Sequence, residues 1–310
     1  MNAMTTLGDV WNQADALASN CTDRTIPVSD ISFESLDSMT INGNTHKLRT
    51  MAQKSICYRL GTPHQYLRKC PADVQALNMN HWIKKEKNEK LLARFDGDEI
   101  RAIFTPRYIP VDNFEVLNQL DALGYKPETQ VQCALDDQFM LLNIPDPEKE
   151  FLVKANDRMR AGISVRNSEI GLSSLAISAY VLRLVCTNGL ISMVNTGGKS
   201  YRHVSSKLLE EFPKTIFEVG ANKNQQRDLF RFSLESKVND PLKSLESFSR
   251  QFMLNELEKD AVAWAWPQES GETMFNLVNT FTRAAQYAEL PAASSYNLQK
   301  VGGTVLAMVH

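Results

Sequence analysis

At 310 residues, with 43% apolar and 23% charged side chains, the chain is long enough to bury a core in one or two domains and too apolar to be disordered. No apolar run reaches the roughly 18–20 residues of a membrane helix. The longest, around Leu182 to Val194, is interrupted by Arg183 and Asn188. No basic-then-apolar leader opens the chain, so a cytoplasmic protein without a membrane partner is expected.

The net charge of −2 conceals blocks of opposite sign. Residues 1–45 hold one basic and six acidic side chains, and residues 46–110 hold thirteen and six, a net +7. Residues 111–153 hold two and nine, a net −7, and residues 154–214 hold nine and four, a net +5. Residues 215–310 return to −2 with nine and eleven. Two basic blocks folded onto one face would bind phosphate by releasing counterions. The run Lys84–Lys90, KKEKNEK, fits such a face and fits a merely solvated helix surface equally well.

In chain order, Leu7 to Asn20 predicts a short helix with Trp11, Ala14, Leu17 and Ala18 on one side. Ile26-Pro27-Val28 has strand character. Helices are predicted over 47–60, after Pro63 up to Pro71, and over 72–90, the last with Trp82 on its apolar face. LLARFDGDEIRAIFT alternates about Asp96-Gly97, a hairpin signal. Asp112 or Asn113 caps a helix that Gly124 ends. Strands follow over TQVQCALD and QFMLLNIP, joined at Asp136-Asp137, and over 160–165. Leu172 to Ile177 reads as a strand or a helix start, and 179–194 stays ambiguous, with a turn at Asn188-Gly189. Helix dominates after Ser206, most clearly over 241–264 and 272–290.

These elements predict an α+β fold: a central antiparallel sheet with a hairpin-helix-hairpin unit, flanked by short N-terminal helices and a C-terminal helical region. Three regions are expected: 1–90 mainly helical, 91–205 β-rich, and 206–310 helical and joined to the β-rich core. No Rossmann or P-loop glycine pattern is present.

Three stretches carry a resemblance. They are NMNHWI with the preceding Tyr66-Leu67 and Cys70-Pro71, then LLARFDGDEIRAIFTPRYIPVDNFEVL, then NSEIGLSSLAISAYVLRLVCTNGL followed by Arg202-His203. Together, over about Ile26 to Ala307, they resemble the phage/plasmid-like family catalogued as domain of unknown function nine-three-two. That resemblance implies a home in phages, plasmids and integrated elements and implies no activity. By fold analogy alone, the hairpin-plus-helix centre is also similar to phage single-strand-annealing recombinases.

Catalytic and metal patterns are weak. Cysteines 21, 57, 70, 133 and 186 are odd in number, spread out and without a CxxC, so they read as free buried thiols. Cys186, Asn188 and His203 lack the spacing of a cysteine hydrolase. The histidines at 46, 64, 81, 203 and 310 are scattered. Asp96, Asp98 and Glu99, or Asp136 and Asp137, could hold Mg²⁺, but turns favour acidic residues anyway. Trp264 and Trp266 read as helix-packing residues. No catalytic residue, metal or cofactor is assigned.

The arginines are the better candidates. Arg94 and Arg101 flank the first hairpin, and Arg107 with Tyr108 could grip phosphate and stack on a base. Arg158, Arg160 and Arg166 share strand parity. Arg183, Lys199, Arg202 and His203 complete the set, the last three beside the Gly197-Gly198 loop. The expectation is a groove for single-stranded DNA or RNA, largely sequence-independent, promoting annealing as a homo-oligomer. A nucleic-acid hydrolase using Asp112, Glu169 or His203 is the alternative. A third reading is an accessory protein with an apolar docking patch on its C-terminal helices.

Overall fold

A computed structural model describes residues 4–154, 157–184, 188–191, 199–201, 203, 210–220 and 224–309. The fold is α+β, and the chain divides into two compact units. One comprises Met1–Ala14, Val111–Ser168 and Ser173–His310 and is called the large unit; the other, the small unit, comprises Asp15–Pro110 and Glu169–Leu172.

The chain begins with β1 (Met4–Thr6) and α1 (Leu7–Ala18), which buries Leu7, Val10 and Ala14. The small unit follows with β2 (Cys21–Pro27), β3 (Ile31–Phe33), β4 (Ser38–Ile41) and β5 (Asn44–Leu48). Next come α2 (Thr50–Leu60), α3 (His64–Leu67) and α4 (Ala72–Ile83), then the hairpin β6 (Lys90–Asp96) and β7 (Glu99–Phe104). The six strands form one sheet in the order β2-β6-β7-β5-β4-β3. Only β5 and β7 pair in parallel. Gly97 takes φ 57° in the predicted turn, where a side chain would be strained. Alternate residues Leu91, Ala93 and Phe95 join Ala52, Ile56, Met79 and Ile83 in the core.

The expectation of a mainly helical 1–90 is therefore corrected, because β2 to β5 lie within it. Their strands are short, and β2 buries only Ile26, so no apolar alternation marks it. The helix expected over 47–60 begins at Thr50, since Lys47 and Leu48 pair with β7. The helix expected over 72–90 stops at Ile83.

The large unit continues with α5 (Asn113–Ala122), β8 (Gln130–Leu135), β9 (Met140–Lys154), β10 (Asp157–Asn167), β11 (Leu175–Arg183), β12 (Asn188–Ile191) and β13 (Lys199–Tyr201). Its sheet runs β1-β8-β9-β10-β11-β12, with β13 also on β11, and every pairing is antiparallel. Asn188 and Gly189, expected in a turn, start β12 instead. The helices are α6 (Phe212–Gly220), α7 (Asn224–Glu235), α8 (Pro241–Gln251), α9 (Glu256–Glu269), α10 (Met274–Ala284) and α11 (Ala292–Ala307). The long helix expected over 241–264 is broken: Met253 has φ 52°, and Asn255 caps α9 by accepting the Glu258 N–H at 3.0 Å. The core joins Met159 and Val181 of the sheet to Phe275, Phe281, Leu298 and Val301 of the helices.

One position in this sheet admits only glycine. The β9–β10 register jumps from Arg160↔Glu150 to Gly162↔Pro145, so β9 carries an outward bulge over 146–149. Its backbone closes on Gly162, where an added Cβ would lie 2.7 Å from the Pro145 Cα. The Ile144–Pro145 backbone cannot yield as a flexible side chain would. Gly162→Ala is expected to cost about 1–3 kcal/mol through overpacking. Urea denaturation checks this, and an unchanged midpoint would contradict the close approach.

Candidate nucleic-acid interface

The small unit carries an open groove of about 560 Å³, lined by Tyr58, Arg59, Leu60, Trp82, Lys85, Glu86, Lys87 and Asn88. Its position follows from how two helices end. α2 stops where Gly61, at φ 68°, turns the chain and its N–H reaches the Cys57 and Tyr58 carbonyls. α4 stops after Ile83, and the Lys85 and Glu86 N–H groups close the turn onto the Trp82 and Ile83 carbonyls. Each terminal turn buries one stripe, Ile56, Cys57 and Leu60 in α2 and Met79 and Ile83 in α4. Tyr58 and Trp82 fall off those stripes and are 90% and 40% exposed.

Side chains of α4 hold the groove's floor in place. Asn80 accepts the Phe33 N–H and donates to the Phe33 carbonyl, both at 2.8 Å, binding α4 to the edge strand β3. Gln75 accepts from the Leu36 N–H at 2.8 Å and donates to the Leu67 and Cys70 carbonyls. Arg59 lies 3.5 Å from Glu86, which also accepts two hydrogen bonds from Asn88. Burial alone would push the Glu86 carboxyl up, but the Asn88 bonds and Arg59 hold it below its usual value. Glu86 is thereby neutralised locally, leaving Lys85 and Lys87 as the groove's free positive charge. Lys84 and Lys90 are exposed nearby in sequence. Lys85 Nζ rests 4.6 Å from the Trp82 ring centroid, and His81 meets that ring edge-on at 5.0 Å.

The residues singled out in the sequence lie mostly elsewhere. Arg94 and Arg101 do reach one side of the small sheet, but they are buried at 2% and 4% exposure. Arg94 donates to Asp23 at 2.8 Å and to the Glu169 carbonyl at 2.9 Å. Arg101 donates to the Glu169 carboxylate at 2.5 Å. Tyr108 stacks flat on Phe104 at 3.7 Å, while Arg107 is exposed.

In the large unit, Arg158 and Arg160 share Glu150, at 3.3 and 3.1 Å. Arg166 lies over the Tyr296 ring and donates to its hydroxyl, and burial lowers its pKa. Arg183 makes two 2.8 Å bonds to Asp157 and one of 3.0 Å to Glu269. Lys199 pairs with Glu218 at 3.5 Å, and His203 is buried. Arg202 and Cys186 lie outside the described residues. The set therefore divides between the two units, and Arg94, Arg101 and Arg183 have structural partners.

The acidic candidates are similarly occupied. Asp112 and Glu115 form the capping box of α5, and Glu169 holds Arg101. Asp96 and Glu99 bind Arg49 at 2.6 and 2.7 Å, and Asp136 accepts the N–H groups of Gln138, Phe139 and Ala292. Among the described residues no group of three or more His, Cys, Asp or Glu side chains could hold a metal ion. No helix among them is long and apolar enough to cross a membrane. Trp264 has Arg283 over its ring, and Trp266 packs on the helical core.

Residues 102–287 match the model of a domain of unknown function, DUF932, and the chain belongs to that family. Both the Arg107–Asn113 and Arg183–Gly189 stretches fall inside the match, while NMNHWI and the groove residues precede it. No curated protein and no solved structure matches the chain.

The Glu169 pairing generates a stability prediction. Glu169→Ala strands Arg101 without its carboxylate in a buried site, which costs about 3–5 kcal/mol. The double change Arg101→Met with Glu169→Leu removes both charges and is expected to recover most of that loss. Chemical denaturation of the three proteins checks it. A single variant as stable as the parent would show that the pair contributes nothing.

Proposed function

We propose that the chain binds single-stranded nucleic acid through the groove between the ends of α2 and α4. The observation that carries this reading is the placement of exposed Tyr58 and Trp82 rings among Lys85, Lys87 and Arg59 in one groove of about 560 Å³. The exposed parts of the Tyr58 and Trp82 rings offer flat surfaces on which a planar partner can stack. Bases have such faces in a single strand, where they are not stacked within a duplex.

The energetics favour exchange. Lys85 on an exposed Trp82 contributes about 0.5–1 kcal/mol as a cation–π contact. A stacked base contributes about 1–3 kcal/mol and frees Lys85 for a phosphate. Helix C-termini carry partial negative charge, and Arg59 is paired with Glu86, so the attraction for phosphate must come from the Lys85 and Lys87 side chains rather than from the backbone. No base-edge reader is implied, and binding is sequence-independent. Promotion of annealing would add self-association to this binding.

Binding of fluorescent single-stranded and duplex oligonucleotides across a salt series, with mass by light scattering, tests the proposal. Trp82→Ala and Tyr58→Ala are each expected to weaken single-strand binding by about 1–3 kcal/mol, about fivefold to over a hundredfold. Lys85→Gln is expected to lower the log–log salt slope by about 0.7. Equal binding by the parent and Trp82→Ala, or a preference for duplex, would overturn the groove assignment.

A further inference from the structure

The large unit holds a cavity of about 690 Å³, a size that accommodates a small organic molecule. Ile144, Pro145, Pro147, Ile163, Ile216 and Phe217 give it mainly apolar walls. Its lip is the β9 bulge. Asp146 accepts the Glu148 N–H at 3.0 Å and pairs with Lys149 at 2.8 Å, and prolines on both sides of Asp146 stiffen the turn. The lip is therefore built before any ligand arrives. At the cavity wall Phe217 is an aromatic side chain left 84% exposed by the described residues.

The polar group that gives this cavity a preference is Arg160. Its Nε is buried and among the described residues has no hydrogen-bond partner, which leaves a charged donor unsatisfied. Its Nη2 bonds to Glu150 at 3.1 Å, but that carboxylate also faces Arg158 at 3.3 Å. One carboxylate between two guanidinium groups leaves a net positive charge. Glu150 can stay with Arg158 when Arg160 turns to an incoming acceptor, so an anion at Arg160 would not strand a carboxylate. The Asp146–Lys149 pair adds no net charge, and Glu128, the remaining acidic lining residue, is exposed to solvent.

We propose that this cavity binds a small amphipathic anion: a flat aromatic body among Ile144, Ile163, Ile216 and Phe217, with one carboxylate- or sulfonate-type head on Arg160. The site is independent of the nucleic-acid groove, because all its lining residues lie between 125 and 217 and the groove's lie between 58 and 88.

A pair of fluorescent probes tests the proposal. 8-Anilinonaphthalene-1-sulfonate has the flat body and the anionic head; N-phenyl-1-naphthylamine has the body alone. Titration of the full chain is expected to give one saturable sulfonate site per chain, bound more tightly than the neutral probe. Arg160→Met is expected to weaken the sulfonate about tenfold, removing its advantage, and to leave the neutral probe unchanged. Phe217→Ala, at an exposed position, is expected to weaken both. Should Arg160→Met fail to fold, Arg160→Lys keeps the charge, removes Nε and is read in the same way. Many weak sites, or one site insensitive to both Phe217→Ala and the Arg160 change, would overturn the proposal.

Discussion

Burial of Glu169 against Arg101 and Arg94 is the constraint on which the small unit depends. The pairing spans 68 residues and brings 169–172 onto the β6–β7 hairpin. Such burial costs several kcal/mol of desolvation per charge, so it persists only where the partners are well satisfied. Here Arg101 takes the carboxylate, Arg94 takes the carbonyl of the same residue, and the Tyr108 hydroxyl approaches that carbonyl at 3.5 Å. Phe104 and Tyr108 stack beside them, and Gly171, at φ 81°, passes under the Phe104 ring where a Cβ would lie 2.8 Å away. Charge, stacking and a glycine conformation all specify the same placement of a four-residue segment.

The same chemistry separates the two kinds of cation. A guanidinium is weakly hydrated and presents a planar fork, so it can be buried when carboxylates meet it, as Arg94 and Arg101 are, or largely covered, as Arg183 is. An ammonium is strongly hydrated and stays outside, as in the Lys84–Lys90 run. Net basic charge in residues 46–110 thus has an inward part, which folds the chain, and an outward part, which remains for a ligand. An arginine interleaved with small and apolar residues marks the inward part.

That distinction explains what could be read from the sequence. The Asp96-Gly97 hairpin, the capped helix α5 and the β8–β9 hairpin were legible because turn chemistry and alternation agree there. β3 to β5 were not, because such short strands lack a period to detect, and of β2 only the end at Ile26-Pro27 was legible, since Ile26 is its one buried residue. The expected single face of Arg158, Arg160 and Arg166 does not hold: the register shifts between Arg160 and Gly162, so Arg158 and Arg160 meet Glu150 while Arg166 meets Tyr296 on α11. Partners from other strands and helices cannot be inferred from spacing along one strand. Trp82, expected on the apolar face of its helix, is 40% exposed. Ile83 takes the buried position instead, and the adjacent Lys84-Lys85 was the signal that the Trp82 edge faces water.

The two candidate ligand sites rest on separate cores. Ile56, Met79 and Ile83 support the aromatic groove, whereas the β9–β10 region that bears the cavity joins Val153 and Met159 to the C-terminal helices. No residue is shared between these cores. Substitutions at Tyr58 or Trp82 therefore leave the helical core untouched, and effects of well-separated sites on stability add nearly independently. The matched family region, 102–287, contains every residue lining the cavity and none lining the groove. Family membership therefore bears on the cavity's half of the chain, while nucleic-acid binding must be argued from the rings and lysines of the small unit itself.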